Sequence, residues 1–186
     1  MIVGLTGTNG AGKTAVSEML RERGYGYQSL SDEIRAELKR RGLPATRENL
    51  IAEGIALRSR FGPAALAERV AQRLNGDRDW VVDSVRNPHE VAALRRDPGF
   101  RLLFVDAPPE IRYERTRSRA DERTPGSFEQ FQAEELRETT SDDPAAQQLH
   151  ACQQLADETL WNDADLGEVE RRLDLLLARW RQEINP

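Results

Sequence analysis

The chain has 186 residues, 38% hydrophobic and 32% charged, with a formal net charge of −5, enough for one soluble domain with a real core. The acidic balance argues against a general nucleic-acid coat, which needs a basic face, and no apolar run approaches the length of a membrane span. The first residues carry no basic n-region, so no secretory signal is expected, and the lone cysteine, Cys152, allows neither an internal disulfide nor a cysteine-based zinc site; a cytoplasmic monomer or homodimer is the expectation.

Residues 1–6 (MIVGLT) are a short apolar run with β-branched side chains ending in glycine, the pattern of a buried strand. Over 12–23, Val16, Met19 and Leu20 recur on one helical face, and Gly24 stops that helix. Residues 25–30 read as a second strand. Ser31 is placed to cap a helix running through 41, with Ile34 and Leu38 four apart and Gly42-Leu43-Pro44 as its break. Two more helices are expected over 46–60 and 63–74, separated by Phe61-Gly62. The run WVVD (80–83) is an apolar strand whose last residue is a carboxylate. Asn87, Pro88 and Glu90 then stand at the cap, first and third positions of a helix.

Residues 100–105 form another buried strand and 109–118 a helix, followed by a turn at Thr124-Pro125-Gly126. Ser127 with Gln130 opens a further helix. A weak strand at 158–161 precedes a long amphipathic helix over about 166–182. No repeat, linker or low-complexity segment interrupts this order. Strands alternating with helices imply a parallel sheet covered on both faces.

The most specific signal is GTNGAGKT, residues 7–14, which satisfies the phosphate-loop pattern and lies between a strand and a helix as that pattern requires. Gly7, Gly10 and Gly12, with Asn9 and Ala11 between them, let consecutive backbone N–H groups turn toward a phosphate. The helix that follows adds the positive end of its dipole. Lys13 is expected to reach the β- and γ-phosphates, and Thr14 to offer its hydroxyl to Mg²⁺. The bland alternative, a glycine-rich turn with an accidental Lys-Thr, does not explain the flanking strand and helix.

Three further stretches bear on what receives the phosphate: SDEIR (31–35), DSVR (83–86), and the segment from Arg112 to Arg123 with Arg115, Arg117 and Arg119 between. Their order resembles that of the nucleoside monophosphate kinase family, where a Gly-Asp-x-x-Arg helix and an Asp-Gly-x-Pro-Arg strand end bind the acceptor. It is most similar to small archaeal-type adenylate-kinase-like proteins of unassigned function, on the stretches SDEIR, DSVRNPHEV and VDAPPEIRYERTRSR. Dephospho-CoA kinases share the loop and the closing Asn162-Asp163 before Leu166. The resemblance covers most of the chain. It departs at Ser31 and Ser84, which stand where that family has glycine, and residues 141–157, with their paired glutamines, match no acceptor motif.

The resemblance implies a three-layer P-loop fold with a five-stranded parallel sheet, a helical acceptor-binding insert at about 31–76 and a short lid at about 115–127. It implies ATP as donor, Mg²⁺, and a small nucleotide as partner. Asp32, Arg35 and Arg86 would hold the acceptor, with the two planar guanidinium groups on its phosphate. Asp83, closing an apolar strand beside the loop, is placed to orient Mg²⁺, and Arg119 and Arg123 to close over the transferring group. Arg115 is the alternative lid residue.

Solvent-facing readings stand beside these. Arg35 alone reads as one more surface arginine, and Glu110, Glu114, Asp121 and Glu122 make the 112–123 run a salt-laced face by default. His89 belongs to a helix start, His150 and Cys152 are too isolated for a metal site, and Trp80, Trp161 and Trp180 read as core or interface. A switch GTPase would carry Asn-Lys-x-Asp, which is absent; a nucleotide-dependent regulator, a dephospho-CoA kinase-like enzyme and a kinase for an unphosphorylated metabolite remain the competing readings.

Overall fold

The computed structural model describes residues 1–118, 126–139 and 143–184. Among them, five parallel strands form one sheet in the order β2-β3-β1-β4-β5: β1 Ile2–Gly7, β2 Gly26–Ser29, β3 Trp80–Asp83, β4 Phe100–Asp106 and β5 Glu158–Trp161. Central β1 pairs with both β3 and β4, so Ile2 stands opposite Trp80 on one side and Phe100 on the other. The strand alternation separates two cores. Ile2, Trp80, Val82, Phe100 and Leu102 face one way, under α2 (Leu30–Arg40), α3 (Arg47–Phe61), α4 (Ala65–Ala71), α5 (Pro88–Leu94) and α8 (Leu149–Leu155). Val3, Leu5, Val81, Leu103 and Val105 face α1 (Lys13–Glu22) and α9 (Leu166–Ile184) on the other side. With both faces covered, the inner strands β1, β3 and β4 are near-continuous apolar runs, as buried parallel strands require, whereas the edge strands β2 (GYQS) and β5 (ETLW) carry polar and exposed residues. Helices α6 (Pro109–Ser118) and α7 (Phe128–Thr139) join through an aromatic cluster of Tyr113, Phe128 and Phe131.

All five expected strands form, and the helix boundaries differ where a turn needed residues. Ser31 does not cap α2. The helix begins at Leu30, directly after Ser29 in extended conformation, because β2 feeds straight into it; the hydroxyls of Ser29 and Ser31 bond each other at 2.9 Å. The helix expected over 63–74 is confined to Ala65–Ala71, since residues 62–64 reverse the chain, with Gly62 at φ 103°. Asn87 does cap α5, its side chain accepting from the His89 amide at 2.9 Å. Glu90, in the third helical position, turns inward instead of back to the cap. Trp80 and Trp180 are core residues, whereas Trp161 is 47% exposed.

The inward turn of Glu90 creates a buried ion pair. Its carboxylate, fully buried, accepts from Arg58 of α3 at 2.8 and 2.9 Å and from the Arg86 amide at 2.9 Å. Burial raises the Glu90 pKa, opposed by the charge of Arg58 and the amide bond. Removing one partner of such a pair strands the other charge in the interior. Arg58→Ala is therefore expected to lower the unfolding free energy by about 3–5 kcal/mol, read from chemical denaturation; a loss below about 1 kcal/mol, the range of an exposed pair, would show that the carboxylate is rescued by water.

Candidate active site

The loop between β1 and α1 is held in a conformation that glycine alone accepts easily. Gly10 and Gly12 have φ 77° and 92°, and a Cβ on Gly12 would lie 2.1 Å from Asn162 Nδ2, one on Gly10 2.5 Å from the Arg112 carbonyl. The surroundings fasten the loop. Asn162, buried after β5, donates from Nδ2 to the Ala11 carbonyl at 2.8 Å, and its own amide donates to the Asp106 carbonyl at 2.7 Å. Thr8 donates to Asp106 Oδ1 at 2.7 Å, and Arg112 Nε stands 3.3 Å from the same carboxylate. Lys13 opens α1 and turns its ammonium onto the Gly7 and Thr8 carbonyls at 2.8 and 2.7 Å.

A cleft of about 580 Å³ opens beside this loop. Gly7, Asn9, Lys13 and Thr14 line its phosphate-loop end; Asp32, Arg35, Asp83 and Arg86 line it as well. Ala11 is buried within the loop fold. The carboxylate of Asp83 is oriented twice, accepting from the Ser84 amide at 2.6 Å and from the Tyr27 hydroxyl at 3.2 Å. Burial, then the Asp83 charge, raises the Tyr27 phenol pKa, so Tyr27 stays a neutral donor. Ser84 adopts φ 65°, a region that L side chains populate sparsely. The resemblance expects glycine here, and the backbone keeps glycine's conformation; hydroxyl contacts to Ser29 at 3.3 Å and Ser31 at 3.5 Å surround the strained residue.

Arg35 is half exposed; its Nη1 donates to Ser31 Oγ at 2.6 Å and stands 3.7 Å from Asp32. Arg86 is more enclosed. Its Nη1 donates to Gln147 Oε1 at 3.0 Å, and desolvation lowers its pKa against the raising charges of Asp83 and Glu90; an arginine so placed still carries its charge.

The arginine-dense segment divides by role. Arg112 is buried, bonding the Ala107 carbonyl at 2.8 Å, pairing with Glu135 and lying 5.6 Å from the Phe131 ring, so it fastens α6 to α7. Arg117 pairs with Glu114 at 3.3 Å on the solvent face. Arg115 reaches the loop: Nη2 donates to the Asn162 carbonyl at 3.0 Å, while Nη1 is buried with no hydrogen-bond partner among the described residues. Arg119 and Arg123, and most of the 115–127 segment, lie outside the described residues.

Among the cleft residues that escaped the sequence reading are Tyr27, Arg47, Arg58 and Gln147. Arg58 sits with Glu53 on the buried side of α3, so that helix shows no apolar stripe to mark its inner face. Among the described residues no group of three acidic, histidine or cysteine side chains could hold a metal, and burial pushes the Cys152 thiol up to about 12. Thr14 and Asp83 both line the cleft, and Mg²⁺ needs no such group of three, since it keeps several waters and takes one or two protein oxygens beside substrate phosphates. No helix is long and apolar enough to cross a membrane among the described residues.

A five-stranded parallel sheet with this loop at the end of its central strand defines a P-loop kinase-like fold. The chain belongs to the AAA-domain family, whose profile matches residues 3–137, and to the UPF0200 proteins. It is 30% identical to a UPF0200 protein of Pyrococcus abyssi, over 96% of each chain, and 33% identical to one of Methanothrix thermoacetophila, over 95% of this chain and 96% of the relative. Among solved structures, TT1252 from Thermus thermophilus is 26% identical with a TM-score of 0.56, covering 96% of this chain and 97% of its own. A shikimate kinase from Bacteroides thetaiotaomicron superposes with a TM-score of 0.62 at 16% identity, over 96% and 98% of the two chains; at that identity the likeness is one of fold.

Proposed function

We propose that this protein is an ATP- and Mg²⁺-dependent phosphotransferase acting on a small phosphorylated acceptor, a nucleoside or deoxynucleoside monophosphate. One observation carries the reading: Arg35 and Arg86 line the same cleft as Lys13, Thr14 and Asp83. Phosphoryl transfer needs charge neutralised and two substrates held in line more than it needs covalent help. The loop amides and Lys13 would hold the donor phosphates. Thr14 and Asp83 would hold Mg²⁺, which when bound supplies positive charge to the transferring group. Arg35 and Arg86 would hold the acceptor phosphate, with Asp32 steering Arg35. The helices between β2 and β3, about 31–76, would be the acceptor-binding insert, and about 115–127 the lid, with Arg119 and Arg123 closing on the phosphates.

The kinases among the fold neighbours support the reaction class, and the arginine pair supports a phosphorylated acceptor over a plain alcohol. Turnover with ATP, Mg²⁺ and each of AMP, CMP, UMP, GMP, dCMP, dTMP and dephospho-CoA tests it. Arg35→Ala is expected to raise KM for the active monophosphate about tenfold or more, the cost of one charge-assisted contact, with a smaller effect on KM for ATP. Turnover of dephospho-CoA alone would move the assignment to that acceptor, and ATP turnover indifferent to the whole panel would favour a nucleotide-binding regulator.

A further inference from the structure

The segment that matched no acceptor motif is fastened directly onto the DSVR turn. Asn87 Nδ2 donates to the Pro144 carbonyl at 2.7 Å and the Ala146 carbonyl at 2.9 Å, and the Gln148 amide donates to the Arg86 carbonyl at 2.8 Å. Gln147, between these anchors, is thereby held at the cleft wall. Its Oε1 accepts from Arg86 Nη1 at 3.0 Å. A guanidinium has donors only, so the amide cannot turn its nitrogen toward Arg86 without losing that bond. With its oxygen engaged by Arg86, the group that Gln147 has left for a ligand is its NH₂, a donor. The same cleft is also lined by Leu30, Ile34, Leu50 and Ile51, apolar side chains of the kind that cover the faces of a flat ring.

We propose that Gln147, oriented by Arg86, reads the base of the acceptor and selects a carbonyl edge over an amino edge. This rests on the monophosphate reading above and adds the substrate class within it. A carbonyl meets the amide hydrogens as an acceptor; an exocyclic amino group sets donor against donor in a partly desolvated site, where an unmatched polar group is costly. Arg86 then has two tasks, its charge toward the acceptor phosphate and its Nη1 on Gln147, so phosphate and base are registered by one side chain.

The test is calorimetric binding, with Mg²⁺ and an unreactive ATP analogue, of two pairs that differ chiefly by the keto/amino exchange: UMP against CMP, and IMP against AMP. The keto member of at least one pair is expected to bind about tenfold more tightly, the size of one hydrogen bond gained against one opposed. Gln147→Ala should bring that ratio close to one with affinity for the ATP analogue unchanged. Gln147→Glu keeps an oxygen for Arg86 but presents acceptors only, and should reverse the preference; thermal melting of both variants establishes that they are folded. A wild-type preference for the amino member, or a ratio untouched in both folded variants, overturns the inference. If Arg35→Ala still weakens every monophosphate in that case, the acceptor-phosphate reading stands alone. Binding of no monophosphate to the wild-type protein overturns both.

Discussion

Lys13→Ala is expected to reduce phosphoryl transfer by at least about a thousandfold, at the upper end of what one preorganised electrostatic contact supplies. Lys13 is the cation at the start of α1 and lies in the loop itself, with Nζ 2.8 Å from the Gly7 carbonyl and 2.7 Å from that of Thr8. Charge delivered there would act on phosphates held by the loop amides, and nothing else in the loop carries a positive side chain. The fold should survive. The carbonyls that Lys13 bonds belong to the loop and not to either apolar core, so the expected loss of stability is about 1–2 kcal/mol. Product formation and thermal melting on the same preparation separate the two effects. Near-normal turnover in a folded Lys13→Ala protein would remove the kinase reading.

Asp83→Asn should cut kcat by at least about a hundredfold and flatten the dependence on Mg²⁺ concentration. The substitution is nearly isosteric, and the asparagine oxygen can still accept from the Ser84 amide, now at 2.6 Å, or from the Tyr27 hydroxyl at 3.2 Å. Local geometry is therefore kept while the charge is removed, which makes the change a test of electrostatics. The strand register that places Asp83 opposite Ser29 at the end of the sheet depends on backbone pairing and should not respond. Unchanged activity and an unchanged metal response would leave Asp83 as a residue that only terminates β3.

The glycine pattern of residues 7–14 was readable because positive φ and close approach leave few substitutes, and the structure shows both at Gly10 and Gly12. The strand WVVD was readable to the residue because a doubly covered strand is apolar up to the carboxylate that ends it at the cleft. Helix α3 was located, but its inner face was not legible. Glu53 and Arg58 are buried there through partners far along the chain, Arg41 and Glu90, and a buried charge looks like a surface charge until its partner is known. The arginines of α6 were ambiguous for the same reason: Arg112, Arg115 and Arg117 lie within six residues, yet one is a buried tie, one reaches the loop and one faces solvent.

The sequence by itself determined the P-loop, the order of strands and helices, and the covered parallel sheet, because glycine geometry and hydrophobic period are local properties of a few residues. Tertiary structure alone decided that residues 144–148 lie against the DSVR turn, that Gln147 and Tyr27 enter the cleft, and that Arg86 shares its guanidinium with Gln147 across 61 positions. Hydrogen bonds between polar side chains so far apart leave no periodic trace in a sequence; they exist only once the sheet has brought the ends of β2 and β3 and the segment before α8 to one place.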